Sequence, residues 1–506
     1  MPSPVLAAGQ PAPAWQQRLA SLQDGWYLAA LALAALVFYF APEPRVALLA
    51  LLGFAALGGR RPRLALLFVV FSLPFYLRPR QLGDLSFSPT EALLLASAVG
   101  WAGGWVWAHW RRRDLSPGPS PVRGGEASPP SLWGKGAGGL GLPAFAWPAL
   151  LFLLASLLSL AAAEHLHEGL RALRTVVVEP LLLYALLLGA GGGRRQARRL
   201  VGALILAAVV VSVIGFYQYL FTGDIITAEE VRRIKVFYGS PNHLGLFLGR
   251  VAPLAAALAI FYPSGRRQHA AAAAIVLAAV GLTFSVGAWA GVAAALLLVA
   301  WLAGRRMRWG MLGLGLGLAV ASPVLLRMER ITSHFSFEGG TNALRLQLWQ
   351  SAVNMVRDHP FLGVGLDNFL YKYPDYALGE VAWREPALSH PHNLVLDFWL
   401  STGLLGLVAM LWLLGLFFAV SWRLYRSRGG PLDRALLVGA MASMVDLVVH
   451  GLIDNSYFLV DLAAIFWLNL ALVALVESSK AVSELEEERR DDSGVRGSGL
   501  HRLAPL

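Results

Sequence analysis

The chain reads as an all-α polytopic membrane protein, and three observations lead there. It is 57% hydrophobic and only 14% charged over 506 residues, more apolar surface than one soluble core can hide. Many apolar blocks approach the ~20 residues that a helix needs to cross a ~30 Å hydrocarbon layer. No stretch alternates apolar and polar residues as a membrane β-barrel strand must, so helices are the spanning element. The blocks predict about 12–14 transmembrane helices and one large extracytoplasmic loop containing an amphipathic helix.

In chain order, residues 1–24 form a mixed, cytoplasmic N-terminus, and 25–110 hold candidate spans at 25–40, 46–58, 64–77 and 87–110. The first apolar block, Trp26 to Phe40, leads into Pro42 and Pro44 without a small-residue cleavage pattern, so it is expected to be a retained span and not a signal peptide. Residues 111–143 are rich in Pro, Gly and Ser and predict a disordered cytoplasmic insert. The central block, 144–326, offers spans at 144–163, 171–190, 200–221, 244–262, 270–285, 287–303 and 309–326, with a polar loop at 222–243. The 270–303 stretch reads either as one long helix or as a pair broken at Gly287. A large polar loop occupies 327–393, three spans follow within 394–476, and a charged tail fills 477–506.

A net charge of +11 would suggest nucleic acid in a soluble protein. Here the basic residues sit in short turns between spans: Arg60, Arg61 and Arg63; Arg111 to Arg113; Arg194 to Arg199; Arg305, Arg306 and Arg308. Alternating spans put these clusters on one side, which the positive-inside tendency makes cytoplasmic together with both termini, and no nucleic-acid partner is expected. Cations kept on the opposite side, including Arg232, Arg233, Lys235, Arg345, Arg357, Lys372 and Arg384, suggest an anionic ligand there. The absence of cysteine excludes disulfides and thiolate metal sites.

The chemistry should lie in the 327–393 loop, which gathers His334, His359, His390 and His392 with those cations. Leu344, Leu348, Ala352, Met355 and Val356 recur at helical spacing, and Thr341 or Asn342 can cap a helix that Pro360 ends. The following Gly363 and Gly365 mark turns or close backbone approach. His392 stands just before an apolar helix; it reads either as a proton-transfer group, imidazole being the side chain suited to that role near neutrality, or as a surface or capping histidine. His390 competes for the same role. Asp446, His450 and Asp454 follow at i, i+4 and i+8, a spacing that suits metal ligands but reads better as hydrogen bonding to neighbouring helices or to the large loop. Glu179-Pro180 with Arg171 and Arg174 reads as a kinked helix with an internal ion pair, or as a diphosphate contact.

His392-Asn393, nine residues, then Gly403-Leu-Leu-Gly406 resembles the signature of the O-antigen ligase family, which includes O-antigen polymerases and protein O-oligosaccharyltransferases. Arg345 with Trp349, the run Pro360, Gly363, Gly365 and Phe369, and Arg233 eight residues before Pro241-Asn242 are similar to further parts of that pattern. One departure is Val286, where the family often carries an arginine after serine.

The resemblance implies a GT-C-like helical fold in the bacterial inner membrane with its active site on the periplasmic face. It implies transfer of a glycan from an undecaprenyl diphosphate-linked donor to an acceptor hydroxyl on a lipid core, glycan or protein, with inversion and with neither metal nor cofactor. Metal-using GT-C enzymes generally offer an Asp-x-Asp pair in an outer loop, and this sequence has none. By the same resemblance Arg233 and Arg345 bind the diphosphate, with Arg232 as a substitute. His392 orients or deprotonates the acceptor, and Asn393, Trp349 and His390 position substrate or loop. Within the family a repeat-unit polymerase is the alternative. From another class, a transporter or flippase of lipid-linked sugar would need ionisable residues near the bilayer midplane and an internal repeat.

Overall fold

The computed structural model describes residues 14–82, 85–113, 144–228, 231–310, 313, 341–379, 388–427 and 429–498. Most of the insert, nearly all of the span expected at 309–326, His334 and Arg384 lie outside the described residues. The chain divides into two compact units, residues 1–126 and 127–506.

The first unit holds α1 (Ala14–Phe40), α2 (Pro44–Arg60), α3 (Pro62–Ser72) and α4 (Pro89–Arg113), with a short hairpin of β1 (Arg80–Leu82) and β2 (Leu85–Phe87) before α4. Prolines open α2, α3 and α4, where a missing N–H costs nothing because the first turn has no intrahelical acceptor for it.

The second unit holds α5 (Ala146–Ser159), α6 (Leu166–Ala172), α7 (Glu179–Ala190), α8 (Gly193–Tyr217), β3 (Ile226–Ala228), β4 (Val231–Arg233), α9 (Pro241–Phe261), α10 (Arg266–Thr283) and α11 (Val286–Ala303). It continues with α12 (Thr341–Asp358), α13 (Phe369–Lys372), α14 (Leu394–Arg426), α15 (Pro431–Gly451) and α16 (Val460–Ser498). Among the described residues seven helical segments are long and apolar enough to cross a membrane: Leu22–Phe40, Leu166–Ala190, Gly193–Thr222, Pro241–Phe261, Val286–Ala303, Leu394–Arg426 and Val460–Ala481. Shorter apolar helices cover Pro62–Leu77 and Ala146–Ala162. The protein is thus an all-α polytopic membrane protein.

The 270–303 stretch is a pair of helices, and the break falls just before Gly287. Phe284 takes a left-handed backbone with φ of 47°, and the Ser285 side chain then accepts the Ala288 N–H to cap α11. Between α6 and α7 the chain makes a π-helical turn at Leu173–Val178, one residue wider than an α-turn, and Pro180 follows it. Arg174 and Glu179 lie 3.8 Å apart across that turn, so the polar spot includes a helix-internal ion pair. Arg171 instead reaches Asp367 at 3.0 Å.

Three helices pack through small residues around a buried polar knot. Arg250 of α9 is paired with Asp446 of α15, the two side chains being 1% and 0% exposed, and Arg250 also donates to the Ser456 carbonyl at 3.1 Å. Gly249, Gly287 and Gly291 leave the space that Asp446 and the His450 ring fill, and any Cβ there would overlap them.

Candidate functional site

The stripe Leu348, Ala352, Met355 and Val356 of α12 is buried against Val364, Phe369, Tyr373 and Leu400. This packing presents the loop to the start of α14. The docking is reinforced on a second side: Asn368 accepts the His165 N–H at 2.8 Å, Lys372 meets Glu164 at 2.6 Å, and Tyr371 stacks on His165. A cavity of about 50 Å³ between Ala162, Glu164, His359, Val364, Asn368 and Lys372 is water-sized and too small for a sugar.

The bond between α14 and the loop is unusual. In a regular helix the Leu404 N–H would donate to the Leu400 carbonyl one turn earlier. Here Gly403 has φ of 70° and ψ of −176°, which opens that turn. The Leu404 N–H donates to the Phe361 carbonyl at 3.1 Å, and the Leu400 carbonyl accepts the Val364 N–H at 2.7 Å. The loop backbone is thus inserted into a helix interruption and satisfies both groups that it frees. Gly363 and Gly403 are required at the contact, because both have positive φ and a Cβ on either would strike the facing carbonyl.

Just before α14, Asn393 accepts the Val395 and Leu396 N–H groups at 3.1 and 3.2 Å and donates to the Leu452 carbonyl at 3.1 Å. It therefore caps one helix and ties it to the end of another. His392 has φ of 49°, a left-handed conformation uncommon outside glycine though one that histidine adopts more readily than most residues. Its Nδ1 lies 2.8 Å from Asp454 Oδ1. Asp454 is 3% exposed and also accepts the Asn455 N–H at 2.8 Å. Burial alone would push the Asp454 carboxyl up, but the His392 hydrogen bond and the imidazole of His390 outweigh it and hold the group well below the usual carboxylate range. A carboxylate in this position accepts, which favours the tautomer of the neutral His392 ring with its proton on Nδ1 and its lone pair on Nε2.

His390 lies beside His392 with ring centroids 4.2 Å apart and ring planes tilted by 58°, and its Nε2 is 3.8 Å from Asp454 Oδ1. His243, in the first turn of α9, approaches the His390 ring at 6.4 Å.

Arg233 is fixed at the same end of the helices. Its Nε donates to the Thr283 carbonyl at 2.7 Å and a terminal nitrogen to Asn242 Oδ1 at 2.9 Å, next to His243. Arg232, its neighbour on β4, belongs to the opposite face of the strand; it donates to the Tyr219 carbonyl at 2.7 Å and lies 4.7 Å over the Tyr219 ring. Arg345 is half-buried on α12 within electrostatic reach of His450. Trp349, one turn on, has a buried indole N–H without a hydrogen-bond partner among the described residues.

The i, i+4, i+8 trio does not form a ligand set. The helix ends at Gly451, so Asp454 leaves the helical face; Asp446 pairs with Arg250, His450 is buried with neither ring nitrogen bonded among the described residues, and Asp454 serves His392. His243 was missed by sequence reasoning. The hydrogen bonding to the large loop expected of the Asp446, His450 and Asp454 group is found between Asp454 and His392, a partner that the spacing did not name.

A helical body with seven membrane-length apolar segments, carrying a histidine–carboxylate pair and a fixed arginine, defines the class as a polytopic membrane protein. Residues 271–411 match a family described as O-antigen ligase, and this likeness supports the O-antigen ligase family of ligase- and polymerase-type membrane glycosyltransferases. The match takes in α10 to the first half of α14, including Arg345, Trp349, His390, His392 and Asn393, and stops short of Asp454. No curated protein matches the chain.

Proposed function

We propose that the protein transfers a glycan from an undecaprenyl diphosphate carrier to an acceptor hydroxyl, on lipid A core or a similar acceptor, at the periplasmic face of the bacterial inner membrane. Both termini are cytoplasmic in this reading. The observation that carries it is the His392–Asp454 pair, 2.8 Å apart; in the tautomer that a carboxylate partner favours, Nε2 is able to accept a proton. The acceptor oxygen attacks the anomeric carbon as its proton passes to Nε2. The bond from that carbon to the diphosphate breaks with its electron pair, and configuration inverts. Arg233 and Arg345 meet the charge developing on the leaving diphosphate, and Arg232 is the substitute. Arg233 suits the role because two hydrogen bonds already hold its guanidinium. Asn393, Trp349 and His390 position the substrate or the loop.

Substituting His392 by Ala is expected to lower transfer by a factor of about 10² to 10⁴ while membrane insertion is retained. Undiminished transfer by that variant, measured with purified protein and lipid-linked donor, removes the proposed base. The glycan of a deletion strain separates ligase from polymerase: long carrier-linked polymer accumulates if a ligase is lost, and single repeat units if a polymerase is lost.

A further inference from the structure

The donor atoms of His390, His392 and Asp454 all lie within 4.8 Å of one another. Nδ1 of His392 is 2.8 Å and Nε2 of His390 is 3.8 Å from the same carboxylate oxygen. In a tetrahedral site with metal–ligand bonds of about 2.0–2.1 Å, neighbouring donors stand roughly 3.3 Å apart. The two observed separations straddle that value, so small shifts suffice to seat an ion. A second observation points the same way: Nε2 of His390 is buried without a hydrogen-bond partner among the described residues. That nitrogen faces the buried Asp454 carboxylate from 3.8 Å, beyond hydrogen-bond range and close to the separation of two donors on one ion. Pro391 between the two histidines and the left-handed backbone of His392 turn both rings to one side.

We infer that His390 Nε2, His392 Nδ1 and Asp454 Oδ1 form a binding site for zinc or a related first-row dication, and that filling it silences His392. Two imidazoles with one carboxylate favour such ions over magnesium or calcium, which take oxygen ligands. Three protein ligands leave a fourth position for water. The silencing follows from proton balance. Coordination through Nδ1 displaces the proton that now bridges to Asp454. A neutral ring must then carry that proton on Nε2, the atom needed as acceptor. This second half rests on the proposed function; the binding does not.

The test uses the full-length protein in detergent, stripped with chelator and titrated with Co²⁺ and then with Zn²⁺. Expected are one Co²⁺ per chain with the intense visible absorption of a four-coordinate site, its displacement by Zn²⁺, and loss of transfer in proportion to occupancy. His390→Ala and Asp454→Ala should each weaken binding by about tenfold or more. X-ray absorption of the zinc-loaded wild type should show two imidazoles, a readout that needs no variant to fold. Absence of stoichiometric Co²⁺ uptake by the wild type, or a first shell without imidazole, overturns the site. Undiminished transfer by zinc-saturated protein overturns the silencing. A metal-free protein that transfers nothing at all counts against the proposed function, while the cobalt spectrum still reads the site.

Discussion

A carboxylate hydrogen-bonded to an imidazole does more than hold it. Asp454 sets which ring nitrogen of His392 is protonated, and an amide in its place can donate instead of accept. Asp454→Asn is therefore expected to cut kcat by about 10² or more with KM little changed, since the substrate-binding arginines are untouched; steady-state kinetics on the purified variant check this. Asp367 gives a pH-dependent prediction of opposite sign. Burial pushes its carboxyl up, and the hydrogen bond from Arg171 only partly offsets this. With a folded-state value above the unfolded one, the folded form takes up the proton first, so this group's stability contribution is unfavourable above that range and improves as pH falls through it. Asp367→Asn, which tolerates the left-handed φ of 54° at this position, should be as stable as the wild type or more so near neutrality. The difference should close on acidification, as read by thermal unfolding in detergent across pH. Of the individual positions, His392 could be singled out in the sequence because a helix start and a polar loop meet there, while its role stayed open between proton transfer and capping. Its partner could not, because 62 residues separate them and helical spacing grouped Asp454 with Asp446 and His450 instead.

The elements differ in how legible they were for equally physical reasons. The apolar stripe of α12 has a period of 3.6 residues, so both its existence and its buried face follow from the sequence. The α10–α11 break was visible only as an option, because Phe284 and Ser285 are not in themselves helix breakers; Phe284 takes its positive φ as the C-cap of α10. The interruption of α14 could not be read at all, since glycine is common in membrane helices and the loop that fills the gap lies far away in sequence. It makes a sharp prediction. Gly403→Ala adds a Cβ against the Phe361 carbonyl at a backbone conformation that alanine resists, so it should loosen the loop from α14 and destabilise the fold by roughly 1–3 kcal/mol. Hydrogen exchange at the Val364 and Leu404 amides should rise together in that variant. Unchanged protection at both would mean that the inserted backbone contributes nothing.

For the whole molecule, the charge pattern predicts an orientation that cysteine labelling can check directly, because the chain contains no cysteine of its own. Ser389 and Arg267 are both exposed, the first beside His390 and the second beyond the far end of α9. Ser389→Cys should react with an impermeant maleimide added outside spheroplasts, and Arg267→Cys only after the membrane is opened. The reverse pattern would put the histidines in the cytosol and remove the proposed donor from reach. The membrane body itself was legible from hydropathy, because every lipid-facing span must repeat the same composition. The Arg250–Asp446 knot was less so, since a single buried charge gives no sign of which helix answers it. The backbone graft between the loop and α14 bears on how a bulky lipid-linked sugar could enter. Lifting residues 361–364 would strand the Leu404 amide and the Leu400 carbonyl in an apolar surround, a penalty of about 1–3 kcal/mol for each group. That stretch is consequently a doorpost and not a lid, and whatever admits the donor must swing on some other part of the frame.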